Sequence, residues 1–146
     1  MKKINLAEVP VDTFKSPKGR FSLTSQDISR ALHAGNGSGK DGTCPPFDVE
    51  LVCLPPKAAN WPYHSHSAQS EFYLVVSGRG QARTPAGVVD IREGDCFMHA
   101  PGEPHQITNT GAVDLIYYVI ADNPASDVCH YPDSNKWALP GQQRPV

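Results

Sequence analysis

The chain has 146 residues and a hydrophobic content of 39%, which suits one domain with one core of ordinary size. Its formal charge of −2 at pH 7 provides no basic surface for nucleic acid or for an anionic membrane. No apolar run is long enough to cross a bilayer, and residues 1–8 lack the apolar core of a signal peptide. We therefore expect a soluble cytoplasmic protein without nucleic-acid or membrane partners.

The cysteines do not indicate a disulfide framework. The chain has four of them: Cys44, Cys53, Cys96 and Cys129. No two are spaced as C-x2-C, and nothing directs the chain to the oxidising compartment that such a framework needs. We expect reduced thiols, with Cys53 and Cys96 as small core residues inside strands.

The first third of the chain has no strong periodicity. Residues 1–43 are predicted to form an irregular leader that packs on the domain behind it. Thr24, with the acidic Asp27 three positions later, indicates a short capped helix over residues 24–32. The glycine-rich residues 35–42 are typical of a flexible loop.

Strand patterns begin at residue 47 and follow one another closely. The predicted strands cover residues 47–54, 71–76, 81–84, 88–91, 96–100, 105–109 and 113–120. Glycine or proline turns separate them, and residues 81–84 and 88–91 are predicted to pair as a hairpin. Short strands at this spacing, without helical patterns between them, indicate an antiparallel sandwich or barrel.

Three side chains with metal-binding chemistry come together between residues 62 and 73. His64 and His66 are one residue apart, so on a strand they share a face while Ser65 points away. The short polar residues 67–70 suit a turn, after which Glu71 opens an aromatic and β-branched run. Two imidazoles and a carboxylate on paired strands can converge on one divalent ion.

A fourth candidate ligand follows a second turn. Pro101 and Gly102 form a turn signal, and His105 begins the strand after it. The parity of the strand places Asn109 on the same face as His105. These two segments therefore supply four ligand-type side chains in all.

The two segments resemble the two sequence motifs of the cupins. The first motif, G-x5-H-x-H-x3,4-E-x6-G, is matched by His64, His66, Glu71 and Gly78, and the second, G-x5-P-x-G-x2-H-x3-N, by Gly94, Gly102, His105 and Asn109. Ala58 stands in place of the first glycine, and the proline is shifted by one, to Pro101; neither is a ligand position. The resemblance implies an all-β fold, a single double-stranded β-helix or jelly-roll barrel over residues 44–121, followed by a C-terminal tail over residues 122–146.

The ligand set predicts one divalent metal ion per chain, held by His64, His66, Glu71 and His105. The alternative is a metal-free polar cluster, but burying three imidazoles and a carboxylate without a cation is costly. Such donors accept Fe(II), Mn(II), Zn(II), Ni(II) or Cu(II), and the resemblance favours iron or manganese. Four protein ligands leave about two positions of an octahedral shell for water, dioxygen or a chelating substrate.

Four further residues are candidates for the pocket wall. Tyr73 shares the face of Glu71 and either contacts substrate or fills the barrel interior. Tyr63 and Gln69 flank the ligand turn and are predicted to lie at its rim. His99 is a candidate base acting behind His105, although a histidine satisfied near the other face is the preferred interpretation.

The tail also resembles a known pattern. Residues 127–136 are similar to a motif of small uncharacterised cupins, D-V-x-x-Y-P-D-S-x-K. Tyr131 and Trp137 are large groups in an irregular segment and should pack on something, whereas His130 is expected at the surface. Leader and tail could cover the open end of the barrel or reach a second subunit. Cupins of this size commonly dimerise, so we predict a homodimer.

The resemblance leaves the function open, because cupins carry many chemistries. The first hypothesis is a mononuclear metalloenzyme acting on a small organic molecule, with oxygenase-type chemistry slightly preferred over isomerase-type chemistry. The second is a non-catalytic, metal-dependent binder of a small molecule or sugar. A metal-free structural or storage role ranks last. The sequence assigns no catalytic residue and no substrate.

Overall fold

The computed structural model describes residues 1–33 and 45–139. Its strands are β1 (Asp12–Lys15), β2 (Ser22–Asp27), β3 (Phe47–Leu54), β4 (Ser65–His66), β5 (Glu71–Ser77), β6 (Arg79–Thr84), β7 (Gly87–Arg92), β8 (Cys96–His99), β9 (Gln106–Thr108), β10 (Leu115–Asp122), β11 (Cys129–Tyr131) and β12 (Lys136–Ala138). One α-helix, α1 (Ile28–His33), and two 3-10 turns, Leu6–Glu8 and Pro132–Ser134, complete the described elements. The predicted loop over residues 35–42, and Cys44, lie outside the described residues.

The named strands form three antiparallel sheets. The largest has the order β1-β2-β3-β10-β5-β8, and the two smaller ones have the orders β7-β6-β9 and β12-β11-β4. The predicted hairpin is present, since β6 pairs with β7 from Arg79 opposite Arg92 to Thr84 opposite Gly87. The prediction of an antiparallel all-β architecture is confirmed.

The hydrophobic core lies between the six-stranded sheet and the sheet β7-β6-β9. Its most buried aliphatic members are Leu54, Val75, Ile107 and Leu115. Alternation along the strands explains this set, because every second residue of β3, β5 and β10 points inward. At the end of β3 and β5 that lies beyond this core, the same inward positions carry the polar residues Asp48, Glu50 and Glu71, whereas β10 contributes Val119 and Ala121.

The leader differs from the irregular segment that the sequence predicted. Two strands, β1 and β2, extend the six-stranded sheet, and β2 pairs with β3 from Thr24 opposite Cys53 to Asp27 opposite Glu50. The short helix is present, but it begins at Ile28, after the strand. These strands are rich in polar residues and partly exposed, so neither shows the apolar alternation by which strands are found.

The cysteine expectation is wrong for Cys96. It lies in β8 and is exposed, on the same outer face as the exposed Met98. Cys53, in β3, is half-buried. Strand parity explains the difference, because the inward positions of β8 are taken by Phe97 and His99.

The tail returns to the strand that carries the paired histidines. Strand β11 pairs with β12 on one side and with β4 on the other, with Cys129 opposite His66 and His130 opposite Ser65. The tail is thus a third sheet built against the motif region. Within residues 1–33 and 45–139, no helix has the length and apolar character needed to span a membrane.

Candidate metal centre

The four side chains of the predicted ligand set are brought together by three segments of the barrel. His64 and His105 face each other in an antiparallel bridge, with each backbone N–H donating to the other's carbonyl oxygen at 3.1 and 2.8 Å. His66 lies in β4, two residues after His64. Glu71 is the first residue of β5. The candidate ligands, which are separated by turns in the sequence, therefore lie on neighbouring segments of the folded chain.

The donor atoms of these residues lie close enough to share one ion. Those of His64, Glu71 and His105 all fall within 4.8 Å of one another, and His64 and His66 belong to a second such group. The Glu71 carboxylate links the two, with Oε2 at 2.6 Å from Nε2 of His105 and Oε1 at 3.7 Å from Nε2 of His66. His64 and His105 are buried, whereas His66 and Glu71 are partly accessible.

Each imidazole is oriented by an acceptor on its Nδ1 atom. In His64, Nδ1 donates to the carbonyl oxygen of Pro62 at 2.8 Å, and in His105 it donates to that of Glu103 at 3.1 Å. In His66, Nδ1 donates to a carboxylate oxygen of Asp127 at 2.6 Å. All three arrangements direct Nε2 toward the cluster, which is how metal-ligating histidines are normally held. The residues present therefore fit a divalent cation.

The pKa values of the ionisable groups in the cluster are shifted in different directions. Burial lowers the pKa of His64 to about 4, and the neighbouring imidazole of His105 adds to the effect, so this ring is neutral. Burial alone would raise the pKa of Glu71, but the hydrogen bond with His105 and the surrounding imidazoles lower it to about 2. Burial also disfavours a charge on His66, yet contacts with Cys129, Glu71 and Asp127 outweigh it and raise its pKa to about 9. His64 is therefore in the neutral form that binds metal and Glu71 is ionised, whereas His66 would release a proton on binding the ion.

A cavity of about 190 Å³ lies beside the cluster, against the inner face of the six-stranded sheet. Its walls include Leu23, Asp48, Glu50, Val52, Asn60, Trp61, Gln69, Glu71, Tyr73, Tyr117, Val119 and Ala121. Among the predicted pocket residues, Tyr73 and Gln69 line it. Tyr73 is 2% exposed and shares the face of Glu71, as strand parity predicted, with its hydroxyl donating to Oε2 of Glu71 at 2.9 Å.

The other two predicted pocket residues lie elsewhere. Tyr63 is buried beneath the guanidinium of Arg83, which sits 3.8 Å from the ring centre, and it does not contact the cavity. His99 is also buried, and its ring stacks on His105 with 4.2 Å between ring centres. Neither of its nitrogens has a hydrogen-bond partner in the described part of the chain. His99 therefore lies inside the barrel against His105, and not near the other face as the preferred interpretation expected.

The structure adds a residue that sequence reasoning missed. The carboxylate of Asp127, in the tail, accepts hydrogen bonds from Nδ1 of His66 and from the backbone N–H groups of Ala68 and Gln69. Burial alone would raise the pKa of Asp127, but the hydrogen bond from His66 and those two amides hold it below its usual value. The tail motif was the available signal, but nothing in it pointed to a site 61 residues earlier.

Other tail residues also contact the barrel. Tyr131 stacks on His64 with 6.0 Å between ring centres, and Asp133 accepts two hydrogen bonds from Arg83 at 2.7 and 2.9 Å. His130 stacks on Trp137 at 4.1 Å. The tail therefore covers the histidine side of the cluster. Tyr131 packs on the barrel as expected, whereas Trp137 stacks on His130 within the tail and stays 45% exposed.

A jelly-roll of these strands, with histidines and a glutamate gathered at one end of its interior, defines the cupin class. The family model for the cupin domain matches residues 50–121, and the chain belongs to this family. The matched residues include all four predicted ligands and every strand from β4 to β9.

Curated relatives match over a short stretch. An oxalate-binding protein of Thermotoga maritima is 33% identical over 57 residues, which is 39% of this chain and 47% of the relative. An uncharacterised protein of Methanocaldococcus jannaschii is 33% identical over 52 residues, or 36% of this chain and 42% of the relative. The alignments thus span less than half the length of either relative.

Solved structures share the fold over most of the chain. A cupin-superfamily sugar phosphate isomerase from Silicibacter pomeroyi has a TM-score of 0.76 at 23% identity, covering 92% of this chain and 84% of that one. A predicted oxalate decarboxylase from Thermotoga maritima has a TM-score of 0.67 at 20% identity, covering 84% and 99%. At these identities the similarity establishes the fold alone.

Proposed function

We propose that this cupin is a mononuclear divalent-metal enzyme that moves a proton on a small hydroxy-carbonyl compound, in an isomerase-type reaction. The observation that carries the proposal is the cavity, which has the carboxylate of Glu71 on one wall and a second carboxyl group, that of Glu50, on another. His64, His66, Glu71 and His105 are the proposed ligands. Iron or manganese is the favoured ion.

A divalent ion at this position would act as a Lewis acid that polarises a carbonyl oxygen. Residues of the chain would orient the groups that hold the ion. Tyr73 fixes the orientation of the Glu71 carboxylate through its hydroxyl. The three acceptors on the imidazole Nδ1 atoms keep the rings turned toward the ion.

Glu50 is the proposed proton carrier. It is the inward residue of β3 between Asp48 and Val52, both of which also line the cavity. Burial raises the pKa of Glu50, and the carboxylates of Asp27 and Asp48 add to the effect. A carboxyl group whose pKa is raised is suited to take a proton from the carbon beside the carbonyl and return it to the former carbonyl carbon, while the hydroxyl proton passes to the former carbonyl oxygen. This favours isomerase-type over oxygenase-type chemistry, the reverse of the order that the sequence suggested.

The cavity walls also bear on the substrate. Within the described residues, no lysine or arginine lines the cavity, whereas Asp48, Glu50 and Glu71 do. Such walls accept hydrogen bonds from hydroxyl groups and repel anions. A volume of about 190 Å³ is small beside usual ligand sites and suits a compact molecule. We therefore expect unphosphorylated hydroxyaldehydes or hydroxyketones, although two structural relatives carry the name of sugar phosphate isomerases.

The metal centre is tested first and by itself. Protein purified without added metal or affinity histidines is subjected to elemental analysis, together with a His66→Ala variant. We expect about one iron or manganese per chain, lost in the variant. If neither protein contains metal and reconstitution also fails, the metalloenzyme proposal is wrong.

The reaction is tested with the metal-loaded protein in deuterium oxide. Proton NMR follows exchange at the carbon beside the carbonyl over a panel of hydroxyaldehydes and hydroxyketones, with oxalate and a sugar phosphate alongside. Glu50→Gln should slow exchange by about 10²–10⁴-fold, whereas the control Glu93→Gln, an exposed carboxylate outside the cavity, should not. A compound that raises the melting temperature without exchanging would support the alternative, a non-catalytic binding cupin.

A further inference from the structure

The thiol of Cys129 lies beside the proposed metal centre. Strand β11 carries Cys129 directly opposite His66 of β4, so the tail returns the cysteine to the cluster. Its Sγ atom is 3.9 Å from both ring nitrogens of His66. The donor atoms of His64, His66 and Cys129 all lie within 4.8 Å of one another. This group therefore shares His64 with the group that contains Glu71 and His105.

The distances fit coordination to a single ion. For zinc, sulfur binds at about 2.3 Å and imidazole nitrogen at about 2.0–2.1 Å, so the two atoms can be up to about 4.4 Å apart across the ion. The separation of 3.9 Å between Sγ and His66 lies inside that limit. Backbone pairing between β11 and β4 holds the cysteine at this position.

The other described cysteines provide a comparison. Cys53 is half-buried in β3, and Cys96 is exposed in β8. Within residues 1–33 and 45–139, Cys129 is the cysteine that belongs to a cluster of potential metal ligands. The thiol is thus distinguished by its register opposite His66 and by its proximity to two imidazoles.

We propose that Cys129 is a metal ligand, binding as a thiolate beside His64 and His66. This inference rests on the proposed function, since it requires the ion. On binding, the S–H bond breaks, the proton leaves to solvent, and a bond from sulfur to the ion forms, with no change of oxidation state. A thiolate favours iron, cobalt, zinc and copper over manganese, calcium and magnesium. Of the two ions favoured above, it selects iron, and it makes the tail part of the metal centre.

Cobalt substitution tests this directly. The protein is stripped with a chelator and reloaded with Co(II), and bound cobalt is measured by elemental analysis. A thiolate ligand produces a charge-transfer absorption in the near ultraviolet that nitrogen and oxygen ligands do not. We expect this band in the wild type and in the exposed-cysteine control Cys96→Ser. We expect it to be lost in Cys129→Ser and in Cys129→Ala, both of which should retain cobalt through the remaining ligands.

The outcomes separate the two proposals. Bound cobalt without the band in the wild type, or an undiminished band in Cys129→Ser, would overturn the thiolate ligand and leave the histidine–glutamate centre standing. A wild type that binds no cobalt would overturn both. Circular dichroism of each variant verifies that the fold is retained, and a band present in Cys96→Ser but absent from both Cys129 variants would support the proposal.

Discussion

Asp127 accepts a hydrogen bond of 2.6 Å from Nδ1 of His66, and this contact joins the C-terminal tail to the proposed metal centre. The carboxylate also accepts from the backbone of the turn that follows His66, at Ala68 and Gln69. One side chain therefore fixes both the orientation of an imidazole and the loop that leads to Glu71. A carboxylate on the far nitrogen of a ligating histidine also makes the ring a better donor.

Replacing Asp127 should weaken metal binding without removing it. We expect Asp127→Ala to lower the affinity for the ion by about 10–100-fold, because His66 loses its fixed orientation while every proposed ligand remains. Competition with a chelator of known affinity measures the effect. Asp90→Asn, which removes an exposed carboxylate on β7, is the matched control and should bind metal like the wild type. Equal affinities for all three proteins would contradict the role of Asp127.

Gly78 should not tolerate a side chain, and the reason is crowding as much as backbone conformation. Its φ is +86°, and a Cβ there would lie 2.4 Å from the carbonyl oxygen of Asp114. Gly94 has a similar φ of +88°, but a Cβ added there would have no atom within 4 Å. Because of this overpacking, we expect Gly78→Ala to lower the free energy of unfolding by roughly 1–3 kcal/mol more than Gly94→Ala does. Urea unfolding of both variants measures the difference, and equal losses would show that only the left-handed backbone matters.

Asn109 holds a buried turn together and should be costly to truncate. It is fully buried, its Nδ2 donates to the carbonyl oxygens of Leu54 and Val113, and its Oδ1 accepts from the N–H of Gly111. Asn109→Ala leaves three backbone groups without this partner, and we expect the free energy of unfolding to fall by roughly 2–4 kcal/mol. The exposed neighbour Thr110 supplies the control, since Thr110→Ala should change stability by less than about 0.5 kcal/mol. A loss below about 1 kcal/mol in Asn109→Ala would mean that water replaces the amide.

Local patterns predicted the barrel strands and the proximity of the four candidate ligands. Alternation along β3 and the turn glycines are local signals, and His64, His66 and Glu71 are separated by a single short turn. Asp127 and Cys129 reach the site only because β11 pairs with β4, a contact formed after a long return of the chain. No periodicity encodes such a return. The polar strands β1 and β2 were missed for a related reason, because their pairing with the sheet does not depend on an apolar face of their own.

His99 should be replaceable by an apolar ring. It is 4% exposed, and both nitrogens lack a hydrogen-bond partner among the described residues, with Oε1 of Glu103 at 3.5 Å as the nearest acidic group. Burial lowers the pKa of His99, and the adjacent His105 adds to the effect, so the ring is a neutral group with unmet hydrogen bonds. We expect His99→Phe to leave the free energy of unfolding unchanged or to raise it by up to about 1 kcal/mol. Thermal unfolding of the metal-free protein measures this, and a loss above about 1 kcal/mol would mean that the nitrogens have a partner, such as bound water.

The homodimer remains a prediction, and the outer face of the six-stranded sheet is where we expect it. Ile120, Phe72 and Met98 lie side by side across β10, β5 and β8, and they are 38%, 37% and 62% exposed. A contiguous apolar row on a sheet face is typical of an interaction surface. Sedimentation velocity should show a dimer at micromolar concentration for the wild type and a monomer for Met98→Glu. Val88→Glu, at an equally exposed apolar position on β7, should remain dimeric. A wild type that sediments only as a monomer would contradict the predicted dimer. Dissociation by Val88→Glu alone would instead place the interface on the β7 side.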